Sequence, residues 1–142
     1  MQAIIMAGGK GRRLRPYTAI LPKPLMPITD IPILEIILRQ LKHYGFNRIT
    51  LAVGYLAELI QAYLGTGKKW GIEINYSRED INLGTIGPLS LIDDLDQSFL
   101  VMNGDVLTDL NYRALFDFHQ QSDNLVTIAS FTKKVHIDLG VL

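Results

Sequence analysis

Ala3-Ile4-Ile5-Met6-Ala7-Gly8-Gly9-Lys10-Gly11-Arg12-Arg13-Leu14-Arg15-Pro16 is an apolar run that breaks directly into a glycine-rich, basic turn. Its Ile-rich start predicts a buried, central strand, and the abrupt break predicts a loop at that strand's carboxyl end that continues to about Pro27. Working outward, Pro32 at a first helical position opens a helix in which Ile33, Leu34, Ile37, Leu38 and Leu41 recur at i, i+3/i+4 spacing and which ends before Gly45. Residues 49–53 read as a second strand, 56–64 as a helix closed by Gly65, and 72–76 as a third strand. A loop around Leu83-Gly84-Thr85 and a short helix over 88–92 lead to an apolar run, 99–102, that stops at Asn103-Gly104-Asp105. A helix over 112–120 and strands over 125–131 and from 139 follow. This alternation predicts an α/β protein with a Rossmann-like, mostly parallel sheet flanked by helices. Residues 1–142 contain no repeat, low-complexity tract or linker and read as one unit. The strand cut short at Leu142 reads as C-terminally incomplete, with more sequence in the parent protein.

A 48% hydrophobic composition argues for a sizeable buried core. Lys and Arg number 14 and Asp and Glu 14, so no global field draws in nucleic acid or an anionic membrane, and any anion site must be local. No apolar run approaches the ~20 residues of a membrane span and no leader with a basic start is present, so a cytoplasmic location is expected. The absence of cysteine excludes disulfides, thiolate metal sites and cysteine nucleophiles.

The local anion site is expected in the basic turn. Gly8, Gly9 and Gly11 let backbone N–H groups approach a phosphate closely, and Lys10, Arg12, Arg13 and Arg15 add four cations within six positions. The dinucleotide pattern GxGxxG fails at Leu14, and the P-loop pattern lacks its GK[ST]. Taken alone, the turn reads equally as a solvated surface loop. Pro22-Lys23-Pro24 pins Lys23 between two residues of restricted backbone, which suits phosphate contact as well as it suits an ordinary extended loop. Asp105 ends a predicted strand at the edge where open α/β sheets bind ligands; otherwise it is a turn cap. His43, His119 and His136 have no metal-ligand spacing, and Trp70 with Tyr63 reads as packing.

In order along the chain, GGKGRRLRPYT over 8–18 and PKPLMPI over 22–28 resemble the signature GGxGTRLxPLT followed by PKPLxPI of the sugar-1-phosphate nucleotidylyltransferases. The chain resembles the N-terminal portion of a glucose-1-phosphate thymidylyltransferase or mannose-1-phosphate guanylyltransferase-like enzyme, departing at Arg12, where the family has a small threonine, and at Tyr17, where leucine is common. Leu83-Gly84-Thr85-Ile86-Gly87-Pro88-Leu89 is similar to the family's LGTAGAL loop, so the resemblance covers the whole chain.

The resemblance implies the nucleotide-diphospho-sugar transferase type of fold, with nucleoside triphosphate and sugar-1-phosphate as partners. Gly8, Gly9, Gly11 and Arg13 would hold the β- and γ-phosphates, Lys23 would neutralise the reacting phosphates, and Asp105 would bind Mg²⁺. Gly84 and Thr85 would lie against the base, and Gly140 would contact the sugar. Glu79, five residues before Gly84, stands where family members contact the base. As a pure acceptor it suits the N–H donors of guanine, and it reads equally as a solvated residue whose role Asp80 could take. Guanine with mannose-1-phosphate is preferred, ahead of thymine or uracil with glucose-1-phosphate. A second metal-binding aspartate and further sugar contacts lie, in the family, beyond this chain, so weak or absent turnover by the chain alone is expected. A non-catalytic nucleotide-binding domain, or a cytidylyltransferase acting on an alcohol phosphate, is the alternative. Homo-oligomer formation is left open.

Overall fold

The computed structural model describes residues 1–81 and 83–133. In chain order its elements are β1 (Gln2–Ala7), β2 (Pro27–Ile28), β3 (Ile31–Pro32), α1 (Ile33–His43), β4 (Arg48–Val53), α2 (Ala57–Leu64), β5 (Glu73–Arg78), β6 (Leu100–Asn103) and α3 (Tyr112–Gln121). β1, β4, β5 and β6 form a parallel sheet in the order β5-β4-β1-β6, and β2 and β3 form a separate small hairpin. β1 lies between β4 and β6, with Ile5 opposite both Leu51 and Met102. The expected central strand and α/β architecture are therefore present.

Strand alternation divides the sheet's residues between two faces. Ala3, Ile5 and Ala7 of β1 and Ile49, Leu51 and Val53 of β4 join one core with Leu34, Ile37, Leu38 and Leu41 of α1 and Ala57, Ile60 and Leu64 of α2. Burying each large aliphatic side chain contributes roughly 1.5–3 kcal/mol, which gives these faces far more weight than helix propensity. α3 joins through Tyr112 and Phe116, the Phe116 ring meeting Phe46 edge-on with centroids 5.6 Å apart.

A polar clasp sets the approach to β6. Gln2 is fully buried, and its side-chain amide donates to the Asp94 carbonyl at 3.1 Å while its Oε1 accepts from the Asp96 amide at 2.7 Å. Arg48 pairs with Asp96 and, at 3.8 Å, with Asp94. The segment feeding β6 is thus tied to the amino ends of β1 and β4, which fixes where β6 ends. On the helical side Glu35 is buried and accepts hydrogen bonds from Tyr63 at 2.5 Å and from both Nε and Nη2 of Arg39. The Tyr63 bond, then those from Arg39 and the charge of Lys69, hold its carboxyl below the ordinary glutamate range against the opposing effect of burial.

The structure corrects three local expectations. Pro32 is the last residue of β3 and the N-cap of α1 rather than its first helical residue, because its extended ψ of 141° serves the hairpin. The third strand runs to Arg78 instead of ending at Tyr76, since β4 offers it ladder partners through Val53. The short helix expected over 88–92 is present as a 3-10 helix, Gly87–Leu91. Residues 125–131 are not a strand: they have no ladder partner among the described residues, and Leu125, Val126, Ile128 and Phe131 are exposed. Apolar composition gives a segment strand propensity, but a strand also needs a ladder partner. The strand expected from 139 lies outside the described residues.

Candidate functional site

Parallel strands deliver their carboxyl ends to one edge of the sheet. At that edge an open cavity of about 740 Å³ is lined by the segments after β1, β4, β5 and β6 and by the basic loop. Gly8, Gly9, Gly11, Arg13, Lys23, Glu79, Gly84, Thr85 and Asp105 all border it, although they come from five separate chain segments. Gly140 lies outside the described residues.

The glycines of the first loop differ in what they make room for. Gly11 sits in the left-handed region at φ 57°, and a Cβ there would lie 2.8 Å from Thr18 Cγ2. Its carbonyl accepts from the Leu14 amide at 3.0 Å and the Thr18 hydroxyl at 2.9 Å, which closes the tight turn Arg12–Leu14. A Cβ on Gly9 would meet nothing within 4 Å, so the Cα of this residue borders open space. Gly8 serves a different neighbour: a Cβ there would collide with the Glu79 carboxylate. Lys10, Arg12, Arg13 and Arg15 form no ion pair among the described residues. Their charge is therefore available to an incoming anion.

Lys23 heads a 3-10 turn, Lys23–Leu25, whose Pro24 and Leu25 are buried. Amide bonds from Leu25 to the Pro22 carbonyl (2.9 Å) and from Met26 to the Lys23 carbonyl (3.0 Å) fix the lysine's origin. Opposite it, the Gly104 amide extends the β1–β6 ladder by donating to the Met6 carbonyl at 2.9 Å. A Cβ on Gly104 would lie 3.2 Å from Ile5 Cγ2, so glycine permits the close approach that brings Asp105 to the sheet edge. The Lys23 ammonium and Asp105 Oδ2 form an ion pair, with side chains 34% and 27% exposed.

Glu79 extends the line of β5, its amide donating to the Val53 carbonyl at 3.0 Å. Its carboxylate rests against Gly8 and Gly54, and Oε2 accepts from the Leu83 amide at 3.3 Å, so the side chain braces the loop that leads to Gly84. Gly84 has φ 82°, which favours glycine. Asp80 also borders the cavity but lies 3.9 Å from the Arg78 guanidinium, which in turn pairs with Glu58 at 2.8 Å.

Gly54, Tyr55 and Asn103 line the cavity and were not anticipated. The signal was present at Gly54, which follows β4 as Gly8 follows β1. A Cβ on Gly54 would come within 3.1 Å of Glu79 and 3.2 Å of the Gly8 carbonyl, so the two strand-end glycines pack together beneath one carboxylate. The His43 and Tyr44 rings meet edge to face at 5.0 Å, His119 bonds Thr127, and the Tyr63 and Trp70 rings lie 6.3 Å apart. His136 lies outside the described residues.

No group of three or more His, Cys, Asp or Glu side chains able to hold a metal ion occurs among the described residues. Asp105 offers hard oxygen donors at the cavity rim, which fits a Mg²⁺ that takes its other ligands from substrate phosphates and water. No helix among the described residues is long and apolar enough to cross a membrane.

A parallel sheet whose carboxyl edge gathers a glycine-rich turn, the unpaired cations of the basic loop and the Asp105 carboxylate around one cavity defines an α/β protein with its candidate site at the strand ends. The chain belongs to the Nucleotidyl transferase family, whose sequence profile matches residues 2–141. It is 37% identical over 145 residues to a UTP–glucose-1-phosphate uridylyltransferase of Synechocystis sp., covering 93% of this chain and 37% of that one. Against the mannose-1-phosphate guanylyltransferase catalytic subunit beta of Dictyostelium discoideum it is 39% identical over 132 residues, covering 90% and 37%. The crystal structure of HddC from Yersinia pseudotuberculosis complexed with GMP-PN superposes with a TM-score of 0.71 at 28% identity, covering 86% of this chain and 54% of that one. The chain thus spans about a third to a half of the length of these relatives.

Proposed function

We propose that this chain is the nucleotide-binding part of an enzyme that transfers a nucleoside monophosphate from a nucleoside triphosphate to a sugar-1-phosphate, releasing pyrophosphate. The observation that supports this most is the convergence of the basic glycine loop, Lys23 and Asp105 on one cavity, which places cations and backbone donors around a space fit for a triphosphate. In this reading an anionic oxygen of the sugar phosphate attacks the α-phosphorus in line, and pyrophosphate departs from the opposite side. The attacking group is already ionised, so no general base is needed. Gly9 and Gly11 amides and Arg13 bind the β- and γ-phosphates, and Lys23 neutralises charge at the reacting phosphorus. Mg²⁺ held by Asp105 and the phosphates would further neutralise charge on the triphosphate.

Glu79 supports guanine as the base. Oε2 accepts from the Leu83 amide, and a carboxylate on the cavity wall retains lone pairs for the adjacent N–H donors that guanine presents. A guanylyltransferase and the GMP-PN complex among the relatives favour the same base. The uridylyltransferase keeps uracil as the nearest alternative. Mannose-1-phosphate and glucose-1-phosphate are the corresponding acceptors, and the cytoplasm is the expected location.

The test is pyrophosphate release from each nucleoside triphosphate with Mg²⁺, with and without each sugar-1-phosphate. Release that requires both substrates, however slow in this chain, is expected. Arg13→Ala and Asp105→Asn should each reduce it ~100-fold or more, as loss of a preorganised charge contact does. Nucleotide breakdown that ignores the sugar phosphate would contradict the reading.

A further inference from the structure

Lys23 and Asp105, the two residues given separate roles toward phosphate and metal, are engaged with each other. We propose that Lys23 holds the cation's place on Asp105 until substrate binds, so that a divalent ion enters together with the triphosphate rather than ahead of it. This rests on the reading of Asp105 as a metal carboxylate.

Both backbones are held. The Lys23 turn is anchored by the buried Pro24 and Leu25, and Asp105 follows Gly104, which is locked to β1. The pair can therefore separate only by movement of side chains, above all the flexible lysine stem. Both side chains are partly solvated, so separation leaves neither charge stranded in an apolar interior. The movement is local and easily reversed.

A bare divalent ion finds little to bind here. Asp105 is the acidic side chain of the β6 end of the cavity, and Lys23 already neutralises it. The other carboxylates on the wall are engaged elsewhere, Glu79 with the Leu83 amide and Asp80 near Arg78. The unpaired cations of the basic loop add to the repulsion. A triphosphate reverses each term: its oxygens draw the Lys23 ammonium away, cancel the loop's charge, and supply the ligands that a single carboxylate lacks. Nucleotide and metal then bind with positive coupling, and linkage makes the effect reciprocal.

The experiment uses Mn²⁺ as the probe, followed by electron paramagnetic resonance, with the chain and its Lys23→Gln, Lys23→Arg and Asp105→Asn variants, each checked for folding by circular dichroism. Without nucleotide, Lys23→Gln is expected to bind Mn²⁺ about tenfold more tightly than the unaltered chain, within the usual range of site-to-site coupling. Lys23→Arg, which keeps the charge, should remain weak, and adding Asp105→Asn to Lys23→Gln should abolish the gain. If Lys23→Gln binds Mn²⁺ no better than the unaltered chain, the inference is overturned. In that event Asp105→Asn in the presence of GTP separates the two levels: weaker retention of Mn²⁺ by the protein–GTP complex leaves the metal role of Asp105 standing, and unchanged retention removes that as well.

Discussion

At the scale of the residue, Gly9 and Gly11 separate function from folding. Gly11 has both a left-handed backbone and Thr18 against its face, so Gly11→Ala should lower stability in urea unfolding by about 1–2 kcal/mol, the cost of placing a Cβ in that conformation. Gly9 has neither constraint, so Gly9→Ala should melt like the unaltered chain while binding nucleotide more weakly, because its methyl group would project where a phosphate is to approach. Equal nucleotide affinity in Gly9→Ala would place the phosphates elsewhere. Glu79 allows a similar separation. Glu79→Gln is expected to lose about tenfold in preference for GTP over UTP, the effect of weakening hydrogen bonds to a charged acceptor, as read by calorimetric titration of both nucleotides. An unchanged preference would reduce Glu79 to its structural role beneath Leu83.

At the scale of the element, α1 is held by an apolar stripe and by one buried carboxylate. Leu38 is fully buried among the sheet and helix side chains, and Leu38→Ala should cost 2–5 kcal/mol, the usual range for a cavity of this kind. Glu35 gives the same helix a pH response. Its carboxyl ionises below the ordinary value of 4.5, so the unfolded chain takes up the proton first as the solution is acidified. The stability that Glu35 contributes is therefore complete above that value and is lost as pH falls through the lower folded-state pKa. Glu35→Gln should remove this part of the acid dependence, measured as the melting temperature between neutral and acidic pH. A parallel curve for the two proteins would show that the contacts of Glu35 with Tyr63 and Arg39 do not favour its ionised form.

The helices and inner strands were legible because burial writes a period into them: Leu34, Ile37, Leu38 and Leu41 recur with the helix, and Ala3, Ile5 and Ala7 of β1 and Ile49, Leu51 and Val53 of β4 recur at every second position on one face of the sheet. Residues 125–131 have the same composition without a ladder partner among the described residues, and composition alone does not distinguish the two cases. Of the site, the loop glycines and Lys23 were recognisable from their neighbours along the chain. The contact between Lys23 and Asp105, 82 positions apart, was not, since it depends on how far β6 runs and where Gly104 lets it approach β1. Gly54 could have been found by applying to β4 the strand-end rule used for β1.

At the scale of the whole molecule, a chain with 14 basic and 14 acidic residues concentrates unpaired positive charge at one sheet edge. That asymmetry, rather than net charge, is what suits it to an anionic ligand. The cavity at that edge is proposed to be a triphosphate site. Thermal stabilisation by GTP with Mg²⁺, compared between the unaltered chain and Arg13→Ala, tests this most directly. At about 100 times its dissociation constant the nucleotide should add ~2.7 kcal/mol of stability. The predicted result is a clear rise in melting temperature that disappears in Arg13→Ala, whose own unliganded melting temperature is unchanged; an equal rise in both proteins would contradict it.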